Sequence, residues 1–497
     1  MNGLFIFDAW YGLGVLRDLP TSRIKKVENR DIVAMRYAEP LMHANINIVD
    51  VIYEASIIDK INFINSMKKH NMRCFLDQKL KNIYYETGFE LIALLDYNKL
   101  VHSLFESWTV YFVVRKLDIY REKINMDFIP VNTPLLDGNE KKYLIECIDT
   151  GWISSEGSFV HQLEDGVASY VGRKYGIAVS NGSAALDIAV IALNLQKGDE
   201  VIMPAFTIIS CAAALVRQGV KPVLVDSDPI TWNMNVDQIE GKITKNTKAI
   251  MVVHIYGLPV DMDRVLEIAN KYGLKIIEDA AEAHGLTYKG KMCGSFGDIS
   301  IMSFYPNKHI TTGEGGMVLT DDLQLANRSQ AAKNLFFKKE RRYIHDELGY
   351  NCRMSNLQAA VGVAQLEKIE EHLLKKMYIG GKYQEAFKMS KYFQCPLENA
   401  AYAKNIYWVF GLVIKEGYKT DAATIIKGLA EMGIGCRSFF YPMHLQPVFC
   451  KMGLFDKESY PVSEYLSNKG FYIPSGLGLK EEEIEYIIDI IQNINII

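Results

Sequence analysis

Apolar and polar positions follow a regular rhythm from Leu135 to about Thr320. Short apolar runs alternate with longer stretches whose apolar residues recur at helical spacing. The pattern predicts helices over Asn139–Asp149 and Gln162–Val171, separated by the loop GWISSEG (Gly151–Gly157). It then predicts strands at Ile177–Val179, Val201–Met203, Pro222–Val225, Ala249–Val253, Leu274–Glu278 and Met317–Thr320, with a further apolar run at Ile299–Phe304. Helices at Ala184–Leu193, Ile208–Gln218, Val236–Ile243 and Met262–Tyr272 fall between them. Such alternation predicts an α/β fold with a largely parallel sheet covered on both faces. In these sheets ligands sit beyond the carboxyl ends of the strands, so post-strand residues are the place to look for chemistry. A long amphipathic helix is expected over Asn356–Leu374. From about Met377, helices mix with strand-like runs such as Tyr407–Val413, which reads as a smaller α/β domain.

Residues 1–125 have a different texture. Short apolar runs (Ile46–Tyr53, Phe89–Leu95, Val110–Val114) lie between charged, helix-like pieces such as Ile61–His70, and a small α/β or α+β domain is expected. No chemical motif stands out there; Asp8–Gly12 (DAWYG) reads as a packed turn. The proline-punctuated stretch DFIPVNTP marks a boundary. The expected organisation is an appendage at 1–125, a large domain at 126–375 and a small domain at 376–497. A chain of 497 residues has room for this. Its net charge of −4, with both signs mixed, gives no case for nucleic acid or an anionic membrane as partner. No apolar stretch is long enough for a transmembrane helix. The start lacks a basic n-region, so it does not read as a signal peptide. The 8 cysteines contain no CxxC pair, so no metal site is expected, and reduced thiols in a cytoplasm are.

The candidate chemistry gathers around Ser303–Met317, SFYPNKHITTGEGGM. Proline and paired glycines mark a tight loop that carries Lys308. A lysine held on such a loop and buried has a depressed pKa and can form a Schiff base with an aldehyde. A solvated surface lysine is the ordinary alternative. Three other signals accompany it. Ser180–Ala184 (SNGSA) lies between a strand and a helix, where Gly182 admits close backbone approach and free N–H groups suit a phosphate; a capped helix start would look the same. Asp279 and Glu282 directly follow an apolar strand, placed to hold a protonated pyridine nitrogen or simply to cap the next element. Asn351 and Arg353 lie in GYNCRMSNLQAA, an irregular entry to the long helix.

Taken together, the ordered blocks GWISSEG, SNGSAAL, MPAFT, HIYGLPVDMD, EDAAEAHG, GSFGD, SFYPNKHITTGEGGM, GYNCRMSNLQAAVGVAQLE, FFYPMHLQP and IPSGLGL closely resemble the DegT/DnrJ/EryC1/StrS family of sugar aminotransferases. The resemblance runs from about Phe128 to the C-terminus. It implies an aspartate-aminotransferase-like fold (PLP fold type I), with a large mixed-sheet domain and a small C-terminal domain. It implies pyridoxal 5'-phosphate as cofactor, with Lys308 as its Schiff-base lysine and Asp279 as partner of the pyridine nitrogen. Glu282 matches a position beside the ring hydroxyl where many members carry glutamine. Gly182, Ser183 and Ala184 match the phosphate turn, and Ser303 a further phosphate contact. Asn351 matches an asparagine that reaches the phosphate from a partner subunit, which implies a homodimer with shared sites. Family members place an aromatic residue over the ring just after the PxxT threonine; here that position is Ile208, with Phe206 nearby. His309, Arg437, Tyr441 and His444 are candidates for the substrate side, with ordinary packing as the alternative for the last three.

The function implied is amino transfer from glutamate to a nucleotide-linked keto sugar. EDAAEAHG and FFYPMHLQP look closest to GDP-4-keto-6-deoxymannose 4-aminotransferases, enzymes of cell-surface polysaccharide synthesis. Other readings are a UDP-4-keto-6-deoxyhexose or 8-keto-3-deoxyoctulosonate aminotransferase, a sugar dehydratase of the same fold, or a non-catalytic regulator. In the dehydratase subgroup a histidine replaces the lysine, whereas here Lys308 is present.

Overall fold

The computed structural model describes residues 127–494 except 339, 340 and 342, and within 1–126 the backbone of seven strands. The chain divides into two compact units, Met1–Met126 and Asp127–Ile497. In the first, Arg23–Glu28, Ile32–His43, Ile48–Asp59 and Phe63–Met72 form an antiparallel meander. Leu4–Trp10, Thr109–Lys116 and Phe89–Asp96 form a second sheet in that order. The helix expected at Ile61–His70 is therefore a strand from Phe63 onward: cross-strand pairing with Ile48–Asp59 overrides a local composition that leans helical. The turn expected at Asp8–Gly12 is corrected likewise, since Asp8–Trp10 lie in a strand; Tyr11 and Gly12 fall outside the described residues.

In the second unit, β1 (Tyr175–Val179), β2 (Glu200–Pro204), β3 (Lys221–Val225), β4 (Thr247–Val253), β5 (Lys275–Asp279), β6 (Ile299–Ser303) and β7 (Gly316–Thr320) build one sheet in the order β3-β2-β4-β5-β6-β7-β1. The strands from β3 to β6 run parallel; β7 is antiparallel to both its neighbours. Their near-continuous burial explains the apolar runs in the sequence. Helices α1 (Glu140–Thr150), α2 (Ser158–Val171), α3 (Gly182–Ala192), α4 (Ile209–Arg217), α5 (Met262–Tyr272) and α6 (Leu323–Ala332) accompany the sheet, which carries separate apolar cores.

Two helix expectations need correction. Val236–Ile243 is a pair of single-turn 3-10 pieces, Val236–Gln238 and Glu240–Lys242. With Gly241 inside it and only Ile239 deeply buried, the segment lacks an apolar face that would hold a full helix. Asn356–Leu374 is broken into α7 (Asn356–Leu366) and α8 (Ile369–Phe387). The break is tied down from outside: Glu367 accepts hydrogen bonds from Asn139 and Tyr143, and Lys368 pairs with Asp137. It lets α7 face α1 and α2 while α8 turns toward the C-terminal elements.

The C-terminal part carries the antiparallel sheet β8-β9-β11-β10, made of β8 (Phe393–Gln394), β9 (Phe410–Ile414), β10 (Arg437–Ser438) and β11 (Gly470–Ile473). Pro442–Met443 is bonded back to the large sheet, Met443 N–H to the Ala205 carbonyl at 2.8 Å. Among the described residues, no helix is long and apolar enough to cross a membrane.

Candidate active site

The carboxyl ends of β1, β2, β4, β5 and β6 lie along one edge of the sheet, and the expected residues hang from them. After β1 the chain turns into α3. Asn181 caps that helix by accepting the Ala184 N–H at 2.8 Å. The Gly182 and Ser183 N–H groups, at the helix start, have no intrahelical acceptor. A Cβ on Gly182 would lie 2.7 Å from the Ser303 Cβ, so only glycine lets the turn press against the end of β6. Ser183 Oγ lies 2.7 Å from Ser210 Oγ, in the first turn of α4. Two helix N-termini thus meet beside Ser303, a setting suited to a dianionic phosphate. Of the three residues of the expected phosphate turn, Ala184 has its N–H committed to the cap.

Asp279 ends β5 and is buried. Its Oδ1 accepts the Ala281 N–H at 3.0 Å, and its Oδ2 accepts the Cys211 thiol at 3.2 Å. Burial pushes the carboxyl up, against the pull of those donors and Lys308. The neighbouring Glu278 points elsewhere, because side chains alternate along a strand. It accepts from the backbone of Gly294, Phe296 and Gly297. His254, Glu278 and Cys293 bring their donor atoms within 4.8 Å of one another, as a metal site would. However, His254 Nδ1 accepts the Val260 N–H, so its Nε2 carries a proton and donates to Glu278 at 3.0 Å. The cluster is a hydrogen-bonded brace behind β5.

Glu282 is buried, with Oε2 accepting the Tyr256 N–H at 2.9 Å and Oε1 3.8 Å from Lys308 Nζ. Burial pushes its carboxyl up to about 7, against the pull of Lys308. The lysine loop is held by Lys308 N–H to the Tyr305 carbonyl and by Thr311 Oγ1 and Thr312 N–H to the Phe304 carbonyl. The Lys308 side chain is only 9% exposed, and burial pushes its amine down, countered by Glu282 and Asp279. Its Nζ stands 3.7 Å from the centroid of the Trp408 ring.

The remaining candidates are placed less uniformly. Phe206 is fully buried among Tyr256, Phe439 and Phe440, whereas Ile208 is 43% exposed at the cap of α4. Asn351 is exposed, and its segment is anchored beside β1 by the Ser180 N–H bonded to the Cys352 carbonyl. His309, expected on the substrate side, is fully buried, its ring 6.0 Å from that of His284. Burial pushes the His309 imidazole well below its usual range. His444 is also buried, with Nε2 2.9 Å from Glu464 Oε1 and its ring against Tyr460, so the packing alternative describes it. Arg437 and Tyr441 are exposed. Arg437 pairs in register with Tyr472, whose hydroxyl burial pushes up to about 12, with Arg437 opposing and Glu282 and Tyr305 adding to the rise.

Sequence reasoning missed Cys211, Tyr256, Trp408 and Tyr472. Each lies in an apolar or aromatic run that reads as core, so no local signal separated them from packing. The group gathered here has a charge imbalance. Two buried carboxylates, Asp279 and Glu282, share one lysine, and both are pushed up. A bound cation facing Asp279 and an anion at the two helix starts would balance the set, which fits a protonated pyridine carrying a phosphate.

Residues 134–492 match the model of the DegT/DnrJ/EryC1/StrS aminotransferase family. Among curated proteins, the chain is 41% identical over 360 residues to a GDP-perosamine synthase of Caulobacter vibrioides, covering 72% of this chain and 96% of that one. It is 40% identical over 364 residues to a GDP-perosamine synthase of Escherichia coli O157:H7, covering 73% and 98%. Among solved structures, an aminotransferase from Psychrobacter cryohalolentis superposes with a TM-score of 0.68 at 29% identity, over 73% of this chain and 98% of that one.

Proposed function

The chain belongs to the DegT/DnrJ/EryC1/StrS aminotransferase family, and we propose that it transfers the amino group of glutamate to the 4-keto carbon of GDP-4-keto-6-deoxymannose, making GDP-perosamine for a cell-surface polysaccharide. It is a sugar aminotransferase dependent on pyridoxal 5'-phosphate. The observation that carries the assignment is the meeting of Lys308, Asp279, Glu282 and the α3 turn at one sheet edge. The substrate reading is supported by GDP-perosamine synthases that this chain matches over nearly their whole length.

When bound, the cofactor supplies an electron sink for the carbon that loses its proton. Asp279 would hold the pyridine nitrogen, with its carboxylate oriented by Ala281 and Cys211. Gly182, Ser183 and Ser303 would hold the phosphate. Lys308 takes the proton from the donor's α-carbon and returns it on the other side of the transfer, as general base and then acid. Burial favours its neutral, proton-accepting form. Glu282, poised near neutrality, adjusts its own charge as the lysine gains and loses a proton. Arg437 and Tyr441, both exposed, are the candidates for holding the nucleotide sugar, and the nucleotide provides remote contact that holds the ketone in place.

Two chains form a homodimer, in which the exposed Asn351 of one reaches the phosphate held by the other. Free thiols suit work in a cytoplasm. Residues 1–125 are an appendage outside the transfer chemistry.

The test is to incubate the protein with glutamate and GDP- or UDP-linked 4-keto-6-deoxyhexoses in parallel and follow amination by mass spectrometry. Higher kcat/KM for the GDP sugar is expected. Preference for the UDP sugar overturns the nucleotide assignment. No amination of either, with turnover of a keto sugar lacking a nucleotide, overturns the substrate class.

A further inference from the structure

The Trp408 ring has no part in the roles assigned so far, yet the Lys308 amine lies over it, 3.7 Å from Nζ to the ring centroid, with Glu282 Oε1 at 3.8 Å. The ring is buried and fixed on several sides. Its Nε1–H donates to the Asn307 carbonyl at 2.8 Å, one residue before Lys308. Its own carbonyl accepts from Lys376 Nζ at 2.9 Å, and the same amine also donates to the Ser475 carbonyl at 2.7 Å. One face stacks on Tyr256, with centroids 5.8 Å apart and planes at 29°. The backbone around it is unusual. Tyr407 and Tyr256 have φ of 51° and 54°, and a Cβ on Gly257 would come within 2.7 Å of the Trp408 nitrogen. Non-glycine residues held in the left-handed region are sustained only where surrounding packing over-determines them.

We propose that Trp408 is a positioning residue whose ring face receives the Lys308 ammonium when that lysine is free of the cofactor and has taken up its proton. The proposal rests on the reading of Lys308 as the lysine that the cofactor joins. The free amine must be parked close to the reacting carbon yet remain able to swing. A short ion pair would hold it too firmly and fix one geometry. An aromatic face attracts a cation without a directional bond, and does so more strongly when both are dry. Glu282, at 3.8 Å rather than at hydrogen-bonding distance, supplies charge balance from the carboxylate side. Trp408 also precedes β9, so the small sheet and the lysine loop share this contact.

Fluorinated tryptophans test this without changing the shape of the ring appreciably, because each added fluorine drains the ring face of negative charge. The full-length chain is made with tryptophan, monofluorotryptophan or difluorotryptophan and stripped of cofactor. Acylation of Lys308 is then followed against pH by peptide mass spectrometry. The titratable groups facing Lys308 are Glu282, Asp279, Lys376, His284 and His309, and fluorination alters none of them. The expected result is a labelling midpoint that falls stepwise with fluorine content, by roughly half to one pH unit over the series. In W408F the dependence should vanish, because among the described residues it is Trp408 whose ring lies against Lys308. The kcat of the reloaded series should fall in the same order while KM for the nucleotide sugar holds. A midpoint that does not move overturns the proposal, as does a series that persists unchanged in W408F. Because this labelling uses the cofactor-free chain, it is separable from the assignment of Lys308 itself. Borohydride trapping of the cofactor on another lysine would sink that assignment and leave the labelling series standing.

Discussion

Replacing Glu282 by glutamine should change how stability depends on pH, in a way the site geometry predicts. The carboxyl rises from its ordinary value of 4.5 to about 7 because it is buried. Between those values the folded chain holds a proton that the unfolded chain has released. Stability from this group is therefore fully present below about pH 4.5, declines as pH rises, and is lost above about pH 7. At about 1.4 kcal/mol per pH unit, the rise corresponds to about 3 kcal/mol, an upper bound because Lys308 shares in the titration. The glutamine variant keeps an oxygen for the Tyr256 N–H and has nothing to titrate. The assay is urea unfolding of cofactor-free wild type and Glu282→Gln at intervals from pH 5 to 8.5. Titrating groups away from the site act alike in both proteins, so the difference between the curves isolates Glu282 together with the Lys308 and Asp279 it is coupled to. Wild type should lose about 2–3 kcal/mol relative to the variant across the range. A difference that stays constant with pH, or one that favours wild type increasingly above pH 7, would refute the reasoning. Activity should follow: a limb near neutrality in the wild-type profile should be absent from the variant.

Borohydride reduction of the loaded protein should leave a pyridoxyl group on the Lys308 peptide; an adduct on any other lysine removes the central assignment. Gly182→Ala should weaken cofactor binding by tenfold or more while leaving the melting temperature of the cofactor-free chain within a few degrees, because the added Cβ meets Ser303 at 2.7 Å; unchanged affinity would show that the turn is not the phosphate seat. Mixing Lys308→Ala with Asn351→Ala protein should restore part of the activity if sites are shared, and proven subunit exchange without recovery counts against sharing. A chain begun near Met126 should still aminate the sugar; a soluble, dimeric, cofactor-binding form with no turnover would mean that residues 1–125 complete the site.

Much of the fold was legible because a doubly covered parallel sheet writes its strands as apolar runs and punctuates them with helices. Lys308, Asp279, Glu282 and Gly182 were legible for the same reason: each follows directly on such a run, so the strand order alone sends them to one edge. Where the sequence misled, competition from tertiary contacts decided. Asn356–Leu374 has the periodicity of one helix, but Glu367 and Lys368 are drawn outward by Asn139, Tyr143 and Asp137, residues far away along the chain. Phe63–Met72 has a helix-like composition and is held as a strand by its neighbour.

The chemistry divides along the same line. A sequence names a residue as lysine or glutamate, and the order of its elements places that residue near others. Charge state depends on what excludes water, and that is known only once distant segments pack. Glu282 becomes a group poised near neutrality because β4, β5 and the lysine loop enclose it. His309, next to Lys308 in the chain, is closed off from water, with its ring near that of His284. Trp408 reads as one more core aromatic until the fold lays its face beneath an amine a hundred residues earlier. Local pattern can be read from one segment at a time, whereas burial and electrostatics are sums over all segments that meet at a point, and only the tertiary structure brings those segments together.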